Sequence, residues 1–306
     1  MKLIIQPDDG ITPLLMAIKR ARKTIDIVIF RFDRPELEKA LAQAVARGVV
    51  VRALVAQTNR GGEKRLRKLE MTFLEKGVTV CRTADDLTRY HGKMMIADND
   101  LYVLGFNFTE LDINRSRSFG VITREAVLLK AARALFESDS TRQPYEPTSD
   151  RFVVSPESSR SLLSAFIKGA KKELLIYDPK ISDKTMVKLL RERAAAGVSV
   201  KVIGQVMKNG NGIEARKLAG TRLHVRAIIR DRKTLFLGSQ SLRRLQIDGR
   251  REIGVIAPHV KVATAVARIF DQDWEKSAKK EEKVAKKEEK KKDEKKAEEP
   301  AGVLAI

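Results

Sequence analysis

Tyr90-His91-Gly92-Lys93-Met94-Met95-Ile96-Ala97-Asp98 places an imidazole and an ammonium two residues apart at the head of an apolar run. In an extended chain residues i and i+2 share a face, so His91 and Lys93 project side by side. An imidazole can attack phosphorus or carry a proton, and an ammonium beside it can hold a phosphoryl oxygen. The pattern returns as Leu223-His224-Val225-Arg226-Ala227-Ile228-Ile229-Arg230-Asp231, with Arg226 where Lys stood. Six residues then separate each aspartate, Asp98 and Asp231, from a glycine, Gly105 and Gly238. The chain has only three His, and two of them hold equivalent places in this repeat. The third, His259, has no such context and is expected at the surface near a helix start.

The elements that must position these residues are themselves repeated. Lys2 to Gln6 reads as a strand, Ile11 to Lys23 as a helix, Thr24 to Phe30 as a strand and Pro35 to Arg47 as a helix closed by Gly48. Val49 to Val55 follows as a buried strand. This alternation predicts layered α/β domains with a largely parallel core sheet. Ala17 to Lys23 matches Phe166 to Lys172, and Gly48 to Arg52 matches Gly197 to Lys201, both at an offset of 149. The two histidines are 133 apart, so the first half carries 16 extra residues before its motif, placed within Gln57 to Lys76. That insert, with Arg60, Lys64, Arg65, Arg67 and Lys68, reads equally as a basic flap over the site or as a solvated helix.

After each motif the pattern gives a strand, a glycine turn and a further strand, Phe119 to Ile122 and Ile253 to Ile256, before a closing helix near Phe136 and Phe270. The expected division is a first domain over 1–137, a linker over 138–150 rich in Ser, Thr and Pro, a second domain over 151–274, and a tail over 275–306. The stretch 275–299 is almost entirely Lys, Glu and Ala. With so few apolar residues it cannot bury a core and is expected to be disordered or a solvated helix, open to use as a nucleic-acid arm.

Composition sets the remaining bounds. A hydrophobic content of 43% over 306 residues supports ordinary cores, which argues against a disordered or fibrous chain. The single cysteine, Cys81, forms no intrachain disulfide and no cysteine metal cluster, and is expected as a small buried residue. No stretch reaches the roughly 18 to 20 apolar residues needed to span a bilayer, and the first residues are too acidic and short for a signal peptide. The expectation is a soluble cytoplasmic chain, with peripheral contact to an anionic membrane open. The formal charge is +21, and since 275–299 carries 11 Lys against 9 Asp and Glu, +19 of it lies outside that stretch. Such a field favours anionic partners, nucleic acid or acidic lipid.

The doubled H-x-K-x-x-x-x-D pattern resembles the phospholipase D superfamily of phospholipases, cardiolipin synthases, nucleases and related phosphodiesterases. The resemblance covers residues 1 to 274 and implies two α/β/α sandwich domains packed about a pseudo-twofold axis, a tandem duplication that brings both motifs into one cleft. It implies His91, Lys93, His224 and Arg226 as the catalytic set, one imidazole forming a phosphohistidine and the other protonating the leaving alcohol, with no metal and no cofactor. His91 is the nucleophile of choice because its motif keeps Lys93, and the reverse assignment stays open. Family members place Gly-Ser-x-Asn after each motif, so Asn107 in Gly105-Phe106-Asn107 and Ser239 and Ser241 in Gly238-Ser239-Gln240-Ser241 take supporting roles. They also carry Arg-Glu before a Gly-Val strand, which Arg251-Glu252 matches and Arg117-Ser118 does not. Glu252 is thereby implied to orient a histidine, and Asp98 and Asp231 to brace the site. Arg226 keeps a cation but is bulkier than Lys, and a guanidinium is no substitute for an ammonium. The implied activity is that of a phosphodiesterase or phosphatidyltransferase on phospholipid, the alternatives being a nuclease of the same chemistry or a weakened member that binds polyanions. Oligomeric state is left open.

Overall fold

A computed structural model describes the backbone of residues 1–58, 63–207 and 212–298, with side chains through Lys280 except that of Glu63. In the first half the order is Lys2–Gln6 (β1), Thr12–Arg20 (α1), Thr24–Ile29 (β2), Pro35–Ala46 (α2), Val50–Val55 (β3), Glu63–Glu75 (α3), Thr79–Arg82 (β4), Met94–Ala97 (β5), Asp100–Leu104 (β6), Glu110–Asn114 (α4), Ser116–Thr123 (β7) and Ala126–Thr141 (α5). The second half runs Phe152–Ser155 (β8), Ser159–Lys168 (α6), Glu173–Ile181 (β9), Lys184–Ala195 (α7), Ser199–Val206 (β10), Glu214–Arg216 (β11), Arg222–Leu223 (β12), Arg226–Arg230 (β13), Thr234–Gly238 (β14), Arg244–Asp248 (α8), Glu252–Ala257 (β15) and Val260–Glu298 (α9). Gly48 and Gly197 end the equivalent helices α2 and α7 with φ of 83° and 84°, the left-handed turn that only glycine adopts without cost.

The sheets repeat the duplication strand for strand. One runs β1-β7-β6-β5-β2-β3-β4, and the other, read from its matching edge, β8-β15-β14-β13-β9-β10-β11. A largely parallel sheet is not what forms. Only β2, β3 and β4, and likewise β9, β10 and β11, pair in parallel, and every other neighbour within each half is antiparallel. The physical reason is connection length. Ahead of each motif crossover connections, with α2 and α3 in the first half and α7 in the second, keep neighbouring strands parallel, whereas after it short turns return β5 to β6 and β13 to β14 in the opposite sense, and β7 and β15 come back after the short helices α4 and α8.

Apolar residues of α1 and α2 cover the outer face of the first sheet, and those of α6 and α7 the outer face of the second. The inner faces meet in a shared core in which Phe119, Val121 and α5 residues Leu128 and Phe136 pack with Tyr177, Ile253, Val255 and α9 residues Phe270 and Trp274. This is a pair of α/β/α sandwiches with one interface core. The insert over Gln57 to Lys76 contains α3, whose Leu66 and Phe73 are buried, so it is neither a free flap nor a fully solvated helix. Arg60 lies outside the described residues. The closing helices reach past the expected domain ends: α5 includes Asp139, and α9 continues without a break to Glu298. Among the described residues no helix is long and apolar enough to cross a membrane.

Candidate active site

Each histidine is delivered by the half that does not contain it. The segment ahead of His91 bridges to the start of β15 through Tyr90 and Arg251, and the His91 amide donates to the Arg251 carbonyl at 2.7 Å. Reciprocally, β12 pairs with β7, Arg222 against Ser116, and the His224 amide donates to the Arg117 carbonyl at 3.2 Å. His91 is thereby set next to Glu252 and His224 next to Ser118. The motif residues lie just ahead of β5 and at the head of β13 rather than within the strands, yet His91 and Lys93 still stand side by side.

Around His91 the ring nitrogens both have polar neighbours, while Glu252 Oε1 is buried without a hydrogen-bond partner among the described residues. Its Nδ1 is 2.8 Å from Glu252 Oε2, and Lys93 Nζ is 2.9 Å from each ring nitrogen. A proton on Nδ1 donated to the carboxylate leaves the reactive lone pair on Nε2, where it accepts from Lys93 until a substrate draws the ammonium away, a tautomer assigned from this network. Phe30 packs edge-on against the imidazole at 4.5 Å and under the Lys93 ammonium at 5.6 Å. Burial, with Lys93 and Arg226 adding positive charge and Glu252 opposing, holds the His91 pKa down at about 4. Burial likewise lowers Lys93 to about 7 against the pull of Glu252. Glu252 itself stays below its usual value despite burial, because His91, Lys93 and Ser239 all stabilise the carboxylate.

The second half is built differently. His224 Nδ1 and the Ser118 hydroxyl are both buried and have no hydrogen-bond partner among the described residues. A serine side chain is too short to do across the interface what Glu252 does. Instead His224 Nε2 lies 3.5 Å from Asp112 Oδ2, and that carboxylate is also held by Arg222 at 2.6 Å and by the Asn107 amide nitrogen at 2.6 Å. Burial first, then the charges of Arg226 and Lys93, depress His224 well below its ordinary value. Arg226 is half-buried and donates from Nη1 to the His224 carbonyl at 2.7 Å, and its Nε is buried without a partner among the described residues. Asp178, Glu252 and Asp112 supply the negative charge that partly offsets that burial.

Asn107, two places beyond Gly105, and Ser241, three beyond Gly238, occupy matched positions. Asn107 donates its backbone N–H to Asp112 at 3.0 Å, and Ser241 donates its backbone N–H to Gln246 at 2.8 Å. The Ser241 hydroxyl is bonded to Asp178, so in this state it is turned to that carboxylate. The Ser239 hydroxyl accepts from the Ile253 amide at 3.1 Å and thereby secures the strand that carries Glu252. His91, Lys93, His224, Arg226, Asn107, Ser239, Ser241 and Glu252 are thus gathered at the junction of the halves, where charges from one half shift the histidine of the other. Asp98 and Asp231 are not, and the expectation that they brace the site is corrected. Each sits in the turn at the far end of β5 or β13, where it accepts backbone N–H groups of residues 22–24 or 171–173. They fix the helix-to-strand junctions, because four or five strand residues carry the chain roughly 15 Å away from the imidazole. Asp112, Asp178 and Phe30 are site residues that the motif spacing does not mark. Their only sequence signal is position: Asp112 and Gln246 stand at the same 134-residue offset as Asn107 and Ser241. His259 starts α9, half-buried, and is remote from these contacts.

Comparison with known proteins bears on this arrangement. The family model described as cardiolipin synthase, PLD-like domain, matches residues 14–140 and 163–274, one segment in each half. No curated protein matches the chain. Among solved structures, polyphosphate kinase from Porphyromonas gingivalis is similar with a TM-score of 0.71 and 19% identity over 88% of this chain, which spans 49% of that one. Phosphatidylserine synthase from Haemophilus influenzae Rd KW20 gives a TM-score of 0.70 and 11% identity, covering 90% of this chain and 86% of the other. The phospholipase D family member Nuc from Salmonella typhimurium aligns with 48% of this chain, over 97% of its own, at 21% identity and a TM-score of 0.41. At such identities the first two likenesses are likenesses of fold.

Proposed function

The chain belongs to the phospholipase D-like family, and from that premise we propose that it is a phosphodiesterase or phosphatidyltransferase that works through a phosphohistidine on His91. The observation that carries this reading is the buried triplet of Glu252, His91 and Lys93, completed across the interface by His224 and Arg226. A neutral imidazole is a nucleophile, and the low pKa of His91 keeps it neutral at physiological pH. Glu252 accepts the Nδ1–H hydrogen bond and stabilises the positive charge that grows on the ring as Nε2 bonds to phosphorus. Lys93 and Arg226 hold the non-bridging oxygens, whose charge increases in the transition state.

Bond making at phosphorus requires the ester oxygen to leave with a proton. His224 supplies it: in the free protein burial and then the nearby cations keep it unprotonated, and an arriving phosphate anion offsets the cations and raises its proton affinity. The P–O bond breaks as the proton passes to the alcohol. In the second half-reaction neutral His224 draws a proton from water or an acceptor alcohol, whose oxygen displaces His91 from phosphorus. Water gives hydrolysis and an alcohol gives transfer.

The test is incubation of the full chain with phosphatidylglycerol and with single-stranded DNA, each labelled and each with and without EDTA, followed by acid-labile phosphohistidine trapping. The expected result is product formation that EDTA leaves unchanged and label on the enzyme that H91A abolishes. Activity that chelation removes and divalent ion restores would overturn it. A second reading, a weakened member retained to bind polyanions, is favoured by one feature: the unpartnered His224 Nδ1 and Ser118 hydroxyl leave the acid imidazole unoriented. Tight salt-sensitive binding without any trapped label would favour that reading.

A further inference from the structure

Beside the catalytic centre lies a cleft of about 520 Å³ that the chemistry above leaves unused. Its walls are the loop after β2, the start of α2, one face of α3 and the residues around Thr109. Two chain connections tie it to the centre. Phe30, which packs on His91, is followed directly by Arg31, and Thr109 stands two residues past Asn107. The wall contributed by α3 comes from the segment that only the first half possesses.

Four cations line this space, Arg31, Arg34, Arg65 and Lys68. The acids there are already engaged: Asp33 accepts the Glu110 amide at 2.8 Å, and Glu38 pairs with Lys76 at 2.8 Å. Arg31, Arg65 and Lys68 have no carboxylate within ion-pair distance among the described residues. Arg34 is only 7% exposed, and while its Nε and Nη2 donate to Glu36, its Nη1 is buried with no hydrogen-bond partner. A buried guanidinium with an idle donor, two flexible cations opposite it, and the positive end of the twelve-residue α2 form a receptor for a tetrahedral dianion. Phe32 and Leu69 make the apolar part of the wall, which suits the organic linker between two phosphates.

We propose that this cleft binds a second phosphate that the substrate carries beyond the scissile diester, so that the preferred substrate is a phosphodiester bearing a further phosphomonoester. The proposal rests on the catalytic reading above and adds the substrate class. A nucleotide and a lipid headgroup can both present that chemistry, and two substrate pairs distinguish them: thymidylyl-thymidine with and without a 5′-phosphate, and phosphatidylglycerophosphate against phosphatidylglycerol in mixed micelles. For the pair that matches the natural source, the extra phosphate is expected to raise kcat/KM at least about tenfold. In the surface double variant R65Q/K68Q that ratio is expected to fall towards one.

Calorimetric titration of inorganic pyrophosphate into the full-length protein reads the cleft without turnover, and its affinity should drop at least about fivefold in R65Q/K68Q, with an unchanged melting temperature as the control on folding. If no ester is cleaved but pyrophosphate affinity responds to the variant, the catalytic reading fails and the anion site stands. If esters are cleaved while the ratios stay near one in both pairs and pyrophosphate affinity ignores the variant, the second phosphate site is overturned.

Discussion

The two imidazoles differ in what sets them, and their roles differ accordingly. Glu252 reaches across the interface to His91 at 2.8 Å, whereas Ser118 leaves the matching nitrogen of His224 without a partner. Replacing Glu252 by Gln keeps the shape but removes the charge that favours the Nδ1-protonated ring and its developing cation, so E252Q is expected to lower kcat by about 10²-fold or more. Steady-state kinetics beside a melting curve separate this from misfolding, and an E252Q enzyme within threefold of the parent would count against His91 as nucleophile. The pH profile follows from the same groups. Protonation of His91 silences the nucleophile, so kcat/KM should rise with pH through about 4, while loss of the acid proton from His224, whose affinity for it burial also depresses, should bring it down, and loss of the Lys93 proton above about 7 should steepen that fall by weakening capture of the anionic substrate. These are values for the free, coupled site, which is what kcat/KM reports. K93R keeps its charge at any accessible pH, so whatever its absolute rate, its profile should lack the added steepening near 7 and keep only the fall set by His224.

At the scale of elements, the halves are clasped by a reciprocal pair of arginines. Arg251, just ahead of β15, binds Asp139 of α5 at 3.1 Å, and Arg117 of β7 binds Asp273 of α9 at 2.9 Å, with the Tyr177 hydroxyl donating to that same Asp273 at 2.8 Å. Each arginine also offers its carbonyl to the histidine of the opposite half, so the clasp and the site share a backbone segment. R251M strands Asp139 in the interior and should cost about 3 to 5 kcal/mol. Burial already raises Asp139 to about 7 from an ordinary 3.8, so the native state binds the extra proton between those values and this group's stability contribution falls as pH rises through that window. Without Arg251 the carboxylate form is worse tolerated still, and thermal melts should show a larger loss at pH 8 than at pH 5.5. Equal losses would mean that the clasp does not govern this carboxyl group. The sheets were legible in the sequence because the 149-residue offset repeats apolar periodicity, and so were the two motifs and Arg251-Glu252. The crosswise pairing was not, since Tyr90 with Arg251 and Ser116 with Arg222 join residues more than 100 apart with nothing local to mark them. For the same reason the spacing could say that Glu252 orients a histidine but not which one, and it gave no hint that Asp112 would stand against His224. Asp98 and Asp231 were misplaced because a motif contiguous in sequence is stretched along a strand in space.

Across the whole molecule, the question is where the folded body ends. The Lys and Glu stretch shows no apolar pattern, which suggested a boundary at Trp274, but the chain crosses that point as one helix. Trp274 stacks on Phe270 at 5.7 Å and lies under the Arg216 guanidinium at 4.2 Å, and the Arg216 side chain also donates to the Trp274 carbonyl at 3.2 Å. One turn later Ser277 is fully buried, its hydroxyl donating to the Asp273 carbonyl at 2.7 Å and accepting the Ala219 amide at 3.2 Å. Asp273 is the residue that anchors Arg117, so this turn of helix supports the second clasp directly. Lys279 and Lys280 are exposed. Truncation after Lys280 should therefore leave the melting temperature within about 1 °C of the full chain. Truncation after Trp274 removes two hydrogen bonds, each contributing about 0.5 to 1.5 kcal/mol, and frays the turn that carries Asp273. At roughly 2 to 4 °C per kcal/mol for a body of this size, it should lower the melting temperature by about 2 to 12 °C. Calorimetry on the two truncations decides it. Equal melting temperatures would put the end of the folded body at Trp274 after all, and a large drop for the longer truncation product would show that residues beyond Lys280 pack on the body.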